Sequence, residues 1–303
     1  MIVSASYRTD IPACYGDWFR ARLAAGFVRV ANPYGGAAYT VSLAPADVDG
    51  IAFWTRNAAP FMGALEEVRA RGFPFTVSHT VTGYPRALEP SAPAAARAVE
   101  TLRAIAWRFG PRACVWRYDP ILETSLTPPD WHVQNFARLA RSLAGAVDEA
   151  VVSWAQIYRK SARGLNAAAR RHGFSWRDPD DGEKRVMLAR LAAIAADQRM
   201  RLTVCSQSHL IVPGTAGAAC VDAARLSEAA GRAIAARAKG NRPGCLCAES
   251  RDIGAYDTCP LGCAYCYAVS SRARAERAAK AIAANAESLT PPSGPPAPSG
   301  RPG

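Results

Sequence analysis

The chain has 303 residues, half of them hydrophobic, enough to bury a large core in one or two domains. Its apolar residues nowhere run long enough for a membrane span, and Met1-Ile2-Val3-Ser4 shows no basic stretch leading into an apolar one, so a cytoplasmic protein without a secretion signal is expected. The net charge of +12 is almost all arginine: the only lysines are Lys160, Lys184, Lys239 and Lys280, and the arginines are scattered rather than gathered in one run, so nucleic-acid binding is only weakly supported.

In chain order, Ile2 to Ser6 reads as a short buried strand ending at Arg8, Thr9 and Asp10. A helix over 16–25 is closed by Gly26, and Phe27 to Ala31 follows as a strand ending at Asn32-Pro33. A short hairpin is expected through Tyr39 to Leu43, then a strand over Gly50 to Trp54 with Arg56 and Asn57 after it. A helix over 60–71 precedes a strand from Phe73 to Val81 that contains His79. An alanine-rich helix over 90–108 leads to the strand Ala113 to Trp116, which ends at Arg117, Tyr118 and Asp119. A helix over 129–144, the strand Ala150 to Trp154, a basic helix over 158–172 and a helix over 180–199 come next. Leu202 to Cys205 is the last clear strand, with Gln207 beyond it, and a helix is expected over 221–237.

This alternation of about seven strands with helices predicts mostly parallel pairing in an α/β fold, a TIM-like or partial (βα) barrel. Polar residues recur just past the strand ends, where such barrels gather ligand groups: Arg8, Asp10, Asn32, Arg56, Asn57, His79, Arg117, Asp119 and Gln207. No GxGxxG follows the first strand, which argues against dinucleotide binding. Asp10, Asp119 and His79 are candidate acids or bases, with Arg117 beside them. Asp10 and Asp119 are equally partners for Arg8 and Arg117, and His79 is equally a packed core histidine. Three units are expected: a barrel-like domain over 1–240, a cysteine-rich loop and terminal helix over 241–285, and a Pro/Gly/Ser-rich disordered tail over 286–303.

The cysteines carry the chemistry. Cys259-Pro260-Leu261-Gly262-Cys263-Ala264-Tyr265-Cys266 spells CxxxCxxC, a spacing that lets one curled loop turn three sulfurs toward a common centre. Gly262 supplies the backbone freedom for the curl. Three thiolates on a cubane would leave one iron open. A CxC pair, Cys245 and Cys247, precedes the loop; it could complete that centre, making it a closed cluster or a zinc site, or help hold a second one with Cys205 and Cys220. Cys14 and Cys114 read as core residues.

CxxxCxxC with Tyr265 before its last cysteine resembles the cluster loop of radical S-adenosylmethionine (SAM) enzymes, although the loop comes last in this chain rather than first. That resemblance implies a [4Fe–4S] cluster on Cys259, Cys263 and Cys266, SAM at the open iron with Tyr265 near its adenine, and a flavodoxin- or ferredoxin-type electron donor. Arg8, Arg56 and Asn57 are cofactor-binding candidates, and the arginines favour an anionic, nucleotide-like small-molecule substrate. Ser4 to Pro12, Phe53 to Asn57, Trp116 to Ile121 and Asp252 to Cys259 resemble blocks of a bacterial group, domain of unknown function family 1848. That resemblance implies a barrel-like domain with a C-terminal cysteine cluster; its members usually carry a glutamate where Gln207 stands. Two further readings stay open: an electron-transfer or non-catalytic protein with a closed cluster, and a zinc-stabilised barrel hydrolase.

Overall fold

The computed structural model describes residues 1–33 and 35–290. In chain order the elements are β1 (Ile2–Ala5), α1 (Ile11–Cys14), α2 (Gly16–Ala25), β2 (Phe27–Val30), β3 (Tyr39–Ser42), β4 (Gly50–Thr55), α3 (Met62–Ala70), β5 (Phe75–Thr80), α4 (Ala95–Phe109), β6 (Cys114–Ile121), β7 (Glu123–Thr124), α5 (Pro129–Leu143), β8 (Glu149–Trp154), α6 (Arg159–His172), β9 (Trp176–Arg177), α7 (Asp181–Asp197), β10 (Arg201–Val204), β11 (Thr215–Gly217), α8 (Ala223–Ala230), β12 (Ser250–Asp252) and α9 (Arg272–Ala281). No helix among the described residues is long and apolar enough to cross a membrane.

The centre is an eight-stranded sheet in the order β11-β10-β8-β6-β5-β4-β1-β12, with every neighbouring pair parallel. Apart from β12, which lies beside β1, the strands stand side by side in chain order, each joined to the next by a helical crossover or a loop. Alternation along the strands sorts side chains to two faces. Val3, Phe53, Val77, Trp116, Val152 and Val204 face one way, into the large core made with the helices. Ile2, Ala52, Val115, Val151 and Cys205 face the other way and join Ala218, Val221 and Ala248 in a second cluster. Strands from both ends of the sheet meet in that cluster, so the sheet is strongly curled. Beyond the ends of β11, Ala248 N–H donates to Val221 O at 2.9 Å, linking the segment after β11 to the segment before β12.

Local chemistry explains most element ends. Gly26 and Gly231 take left-handed backbone angles that terminate α2 and α8. Asp180 and Glu183 form a reciprocal capping box at the start of α7. On α4, Ala98, Val99, Leu102, Ile105 and Ala106 repeat at helical spacing and bury one stripe.

The outcome differs from the sequence expectation in four places. The strand at Phe27–Val30 pairs antiparallel with β3 in a separate hairpin, so Asn32 stands off the central sheet. β11 and β12 complete the sheet instead, and β12 means that the segment beyond residue 240 supplies an outer strand of the central sheet. With Gly231 as its cap, α8 ends at Ala230, seven residues earlier than expected. Residues 286–290, expected to be disordered, are packed: Trp18 Nε1 donates to Ala286 O at 2.8 Å, Arg29 N donates to Glu287 O at 2.8 Å, and Leu289 is buried. The rest of the expected tail, 291–303, lies outside the described residues.

Candidate metal centres

The CxxxCxxC loop sits over the C-terminal ends of β1 and β4. Four hydrogen bonds fix it there. Tyr15 Oη donates to Thr258 O at 2.6 Å, Tyr267 Oη to Tyr7 O at 2.6 Å, Ala264 N to Leu88 O at 2.9 Å, and Arg56 Nη2 to Tyr265 Oη at 2.6 Å. Gly262 adopts φ +75°, the conformation expected of it, and a Cβ there would stand 2.8 Å from Arg272 Cδ. Cys263 feels the charges of Cys266 and Cys259, and Cys266 feels that of Cys259. Burial pushes all but Cys259 up first and foremost; for Cys259 the leading cause is the Cys14 thiol, with burial next.

Beneath the loop lies a buried ionic network. Arg56 Nη1 donates to Glu89 Oε1 at 2.7 Å, Thr82 Oγ1 donates to the same oxygen at 2.7 Å, and the Tyr265 hydroxyl donates to it as well. The Arg56 guanidinium lies 5.5 Å over the Tyr265 ring. Burial pushes the Tyr265 hydroxyl well up, so it remains a donor. Asp10 caps α1 by accepting from Ala13 N at 3.0 Å and ties the β1 and β4 ends together by accepting from Arg56 N at 2.7 Å. Burial raises its carboxyl to about 6 in spite of those donors.

Arg8 and Arg117 are likewise paired. Arg8 Nε lies 3.7 Å from Asp252, whose carboxylate also accepts from Ser4 Oγ, Ser6 Oγ, Tyr7 N and Gly254 N. Arg117 Nη2 donates to Asp119 Oδ2 at 2.5 Å and stacks 5.1 Å over Trp54. Burial opposes ionisation of Asp119, but Arg117 and the Ser153 hydroxyl hold its carboxyl below the usual range. Arg8, Arg56 and Arg117 thus each have an internal carboxylate partner, Asp252, Glu89 and Asp119, with Asp252 rather than Asp10 beside Arg8. Arg242, near this edge, makes no salt bridge, although it feels the Asp119 charge and donates to Cys205 Sγ at 3.6 Å. Its Nη1 donates to Gln156 Oε1 at 3.0 Å, and it lines an open cleft of about 600 Å³ with Gln156, Tyr158, Ser206 and Gln207. Tyr158 reaches the loop, its ring 6.5 Å from that of Tyr267.

His79 shares the helix-facing side of β5 with Phe75 and Val77 by alternation, is fully buried, and accepts from Ala58 N at 3.4 Å. Burial lowers it to about 4, so it is a neutral core histidine. Asn57 Oδ1 accepts from Ala59 N and starts the turn before α3. The Gln207 amide spans the end of β8, Oε1 accepting from Trp154 N at 2.8 Å and Nε2 donating to Trp154 O at 3.1 Å. A carboxylate could accept there but not donate.

Cys245 and Cys247 do not join the CxxxCxxC thiols. Cys247 is within hydrogen-bonding reach of Cys220 and of Cys245, and Cys220 Sγ lies 3.5 Å from Cys205 Sγ. The CxC pair and the two thiols after β10 and β11 thus form one connected set. Cys114 is buried core, and Cys14 is partly buried against the same core with its thiol toward Cys259. Sequence reasoning also missed Glu89 and Asp252. Both are lone acids in otherwise unremarkable loops or edges, and only the fold reveals the arginines they serve. Among the described residues, no three His, Cys, Asp or Glu side chains form a ready-made metal cage.

No curated protein and no solved structure matches the chain. A family model does, that of a domain of unknown function (DUF1848), over residues 2–268. The match begins with β1 and ends just past the cysteine loop, taking in the whole parallel sheet and both sets of thiols. The chain belongs to the DUF1848 family.

Proposed function

We propose that this protein is an iron–sulfur enzyme of radical-SAM type built on a barrel-like parallel sheet. The barrel reading is supported by the sequential strand order and by the inner cluster that strands from both ends of the sheet share. The enzyme reading is carried by one observation: a single eight-residue loop bearing three cysteines is hydrogen-bonded to the segments that follow β1 and β4, at the C-terminal strand ends.

The donor set fits a [4Fe–4S] group in kind. Cys259, Cys263 and Cys266 would hold it, and Cys245 and Cys247 are engaged elsewhere. Arg56 brings positive charge to Cys263, which suits an anionic centre. When bound, the group supplies hydrogen-atom abstraction through the reductive cleavage of SAM by a flavodoxin- or ferredoxin-type donor. The chain's own work is positional. Glu89 and Arg56 hold Tyr265 under the loop, Asp252 holds Arg8 and the Ser6–Tyr7 backbone, and the loop itself closes one side of the site against water. The cleft beside Tyr158 offers the substrate Arg242 as a cation and Gln156 as a hydrogen-bonding neighbour, which favours an anionic small molecule.

Anaerobic reconstitution with iron and sulfide tests this. The expected result is about four irons per chain, a cluster spectrum that changes on adding SAM, and 5′-deoxyadenosine formed with a reductant. A cluster whose spectrum ignores SAM, with no 5′-deoxyadenosine, overturns it. The contact between Cys14 and Cys259 favours a second reading, a closed cluster with Cys14 as fourth ligand. On that reading Cys14→Ala gains a response to SAM that the parent lacks; on the first, the variant and parent respond alike.

A further inference from the structure

The second set of thiols has its own geometry and depends on none of the residues of the CxxxCxxC loop. Cys205 follows β10 and Cys220 follows β11, while Cys245 and Cys247 lie in the loop that leads to β12. β11 and β12 are the two outer strands of the curled sheet. The four sulfurs therefore stand where its two edges approach, next to the backbone bond from Ala248 to Val221. Each sulfur also accepts from a donor that is not a thiol. Arg117 Nη1 donates to Cys220 at 2.8 Å, Arg242 Nη2 to Cys205 at 3.6 Å, and Val221 N to Cys247 at 3.3 Å; Cys245 receives the N–H groups of Asn241 and Cys247 and the Ser206 hydroxyl. Two guanidiniums and several N–H groups aimed at buried sulfur suit thiolates far better than thiols.

We propose that Cys205, Cys220, Cys245 and Cys247 hold one zinc ion as a closed tetrathiolate site that clasps the two edges of the parallel sheet. Two thiolates on one tetrahedral zinc, with bonds of about 2.3 Å, stand about 3.8 Å apart. The 3.5 Å contact between Cys205 and Cys220 is close to that spacing. A cubane would set each thiolate on a different iron and spread them, so the contact favours a single ion. Binding exchanges four S–H protons for four Zn–S bonds and releases the protons to solvent, with nothing oxidised or reduced. The protonated set is spaced for S–H···S bonds, and ion binding draws the 241–247 loop the remaining distance onto Cys205 and Cys220. Arg117 and Arg242 offset the negative charge of the tetrathiolate. Four protein ligands leave no open position, so the site is structural.

The test uses the full chain carrying Cys259→Ser, Cys263→Ser and Cys266→Ser, which removes the other thiol set. Cobalt(II) should titrate one-to-one with strong thiolate charge-transfer absorption, zinc should displace it, and zinc-edge X-ray absorption should give four sulfur neighbours. Adding Cys220→Ser should abolish the one-to-one cobalt signal. Failure of reduced protein to bind either ion, or an iron–sulfur spectrum in the triple variant, overturns the proposal. Should the triple variant not fold, Cys247→Ser in the otherwise natural chain decides the matter: zinc should fall from one per chain to none with iron content unchanged. Retained zinc, or zinc and iron lost together, rejects it.

Discussion

The two thiol sets reach their positions by opposite routes. Cys259, Cys263 and Cys266 are local: they lie within eight residues and one left-handed glycine, and the rest of the fold supplies a seat for the loop. Cys205, Cys220, Cys245 and Cys247 are assembled from afar, by two strands and a returning loop. The first set is coupled through charge, the second thiol to thiol. A local set can be lost without loosening the sheet. A distributed one joins segments that follow β10 and β11 to the loop before β12, so a metal held there would add directly to folding stability.

That contrast can be broken most forcefully by stability measurements on single variants. Cys220→Ser should lower the thermal midpoint of the metal-loaded protein by far more than Cys263→Ser, while Cys263→Ser should remove iron and leave zinc. Equal midpoints would erase the distinction. Next in size is the seat of the local set. Glu89→Ala strands the buried Arg56 guanidinium and should cost roughly 3–5 kcal/mol in urea unfolding. A loss under about 1 kcal/mol would mean that Arg56 finds water in its place.

Acid should separate core from sites. His79 and His132 are held neutral by burial, each lowered to about 4. Their unfolded forms take up protons near 6.5, so the unfolded state binds more protons between 6.5 and 4, and stability falls as pH drops through that window. Each contributes roughly 3 kcal/mol by its lower end. Asp10 acts in the opposite sense: its raised carboxyl binds protons in the fold first, which favours the folded state as pH falls from about 6 toward 4. Urea midpoints should therefore fall from pH 7 to pH 4.5, and more steeply in Asp10→Asn. The smallest effect is expected at Gly262. Gly262→Ala must hold φ +75° and push Arg272 aside, which should cost about 1–2 kcal/mol and loosen iron binding before it affects zinc.

The local set was legible in the sequence because everything that defines it lies within one loop. The alternation of helices and strands was legible for the same reason, as apolar runs such as Ala150 to Trp154 are long enough to carry a pattern. What escaped was whatever depends on distant partners. β11 and β12 have three residues each, and neither Thr-Ala-Gly nor Ser-Arg-Asp has a strand's apolar content. Their pairing is decided by the strands beside them. Phe27–Val30 does read as a strand, but the neighbour it chooses, β3, takes it out of the sheet. His79 shows a titratable side chain in the sequence and a core position in the fold, and only the parity of β5 tells the two apart.

The segment after α9 packs back onto the start of the chain. The family match stops at residue 268, yet the carbonyls of Asn285, Ala286 and Glu287 receive Arg22, the buried Trp18 indole and the Arg29 amide. The packed structure thus runs past the matched segment: a polypeptide trimmed to that segment would expose the flank of α2 and take away the acceptor of the Trp18 indole N–H, although every recognisable block would still be present.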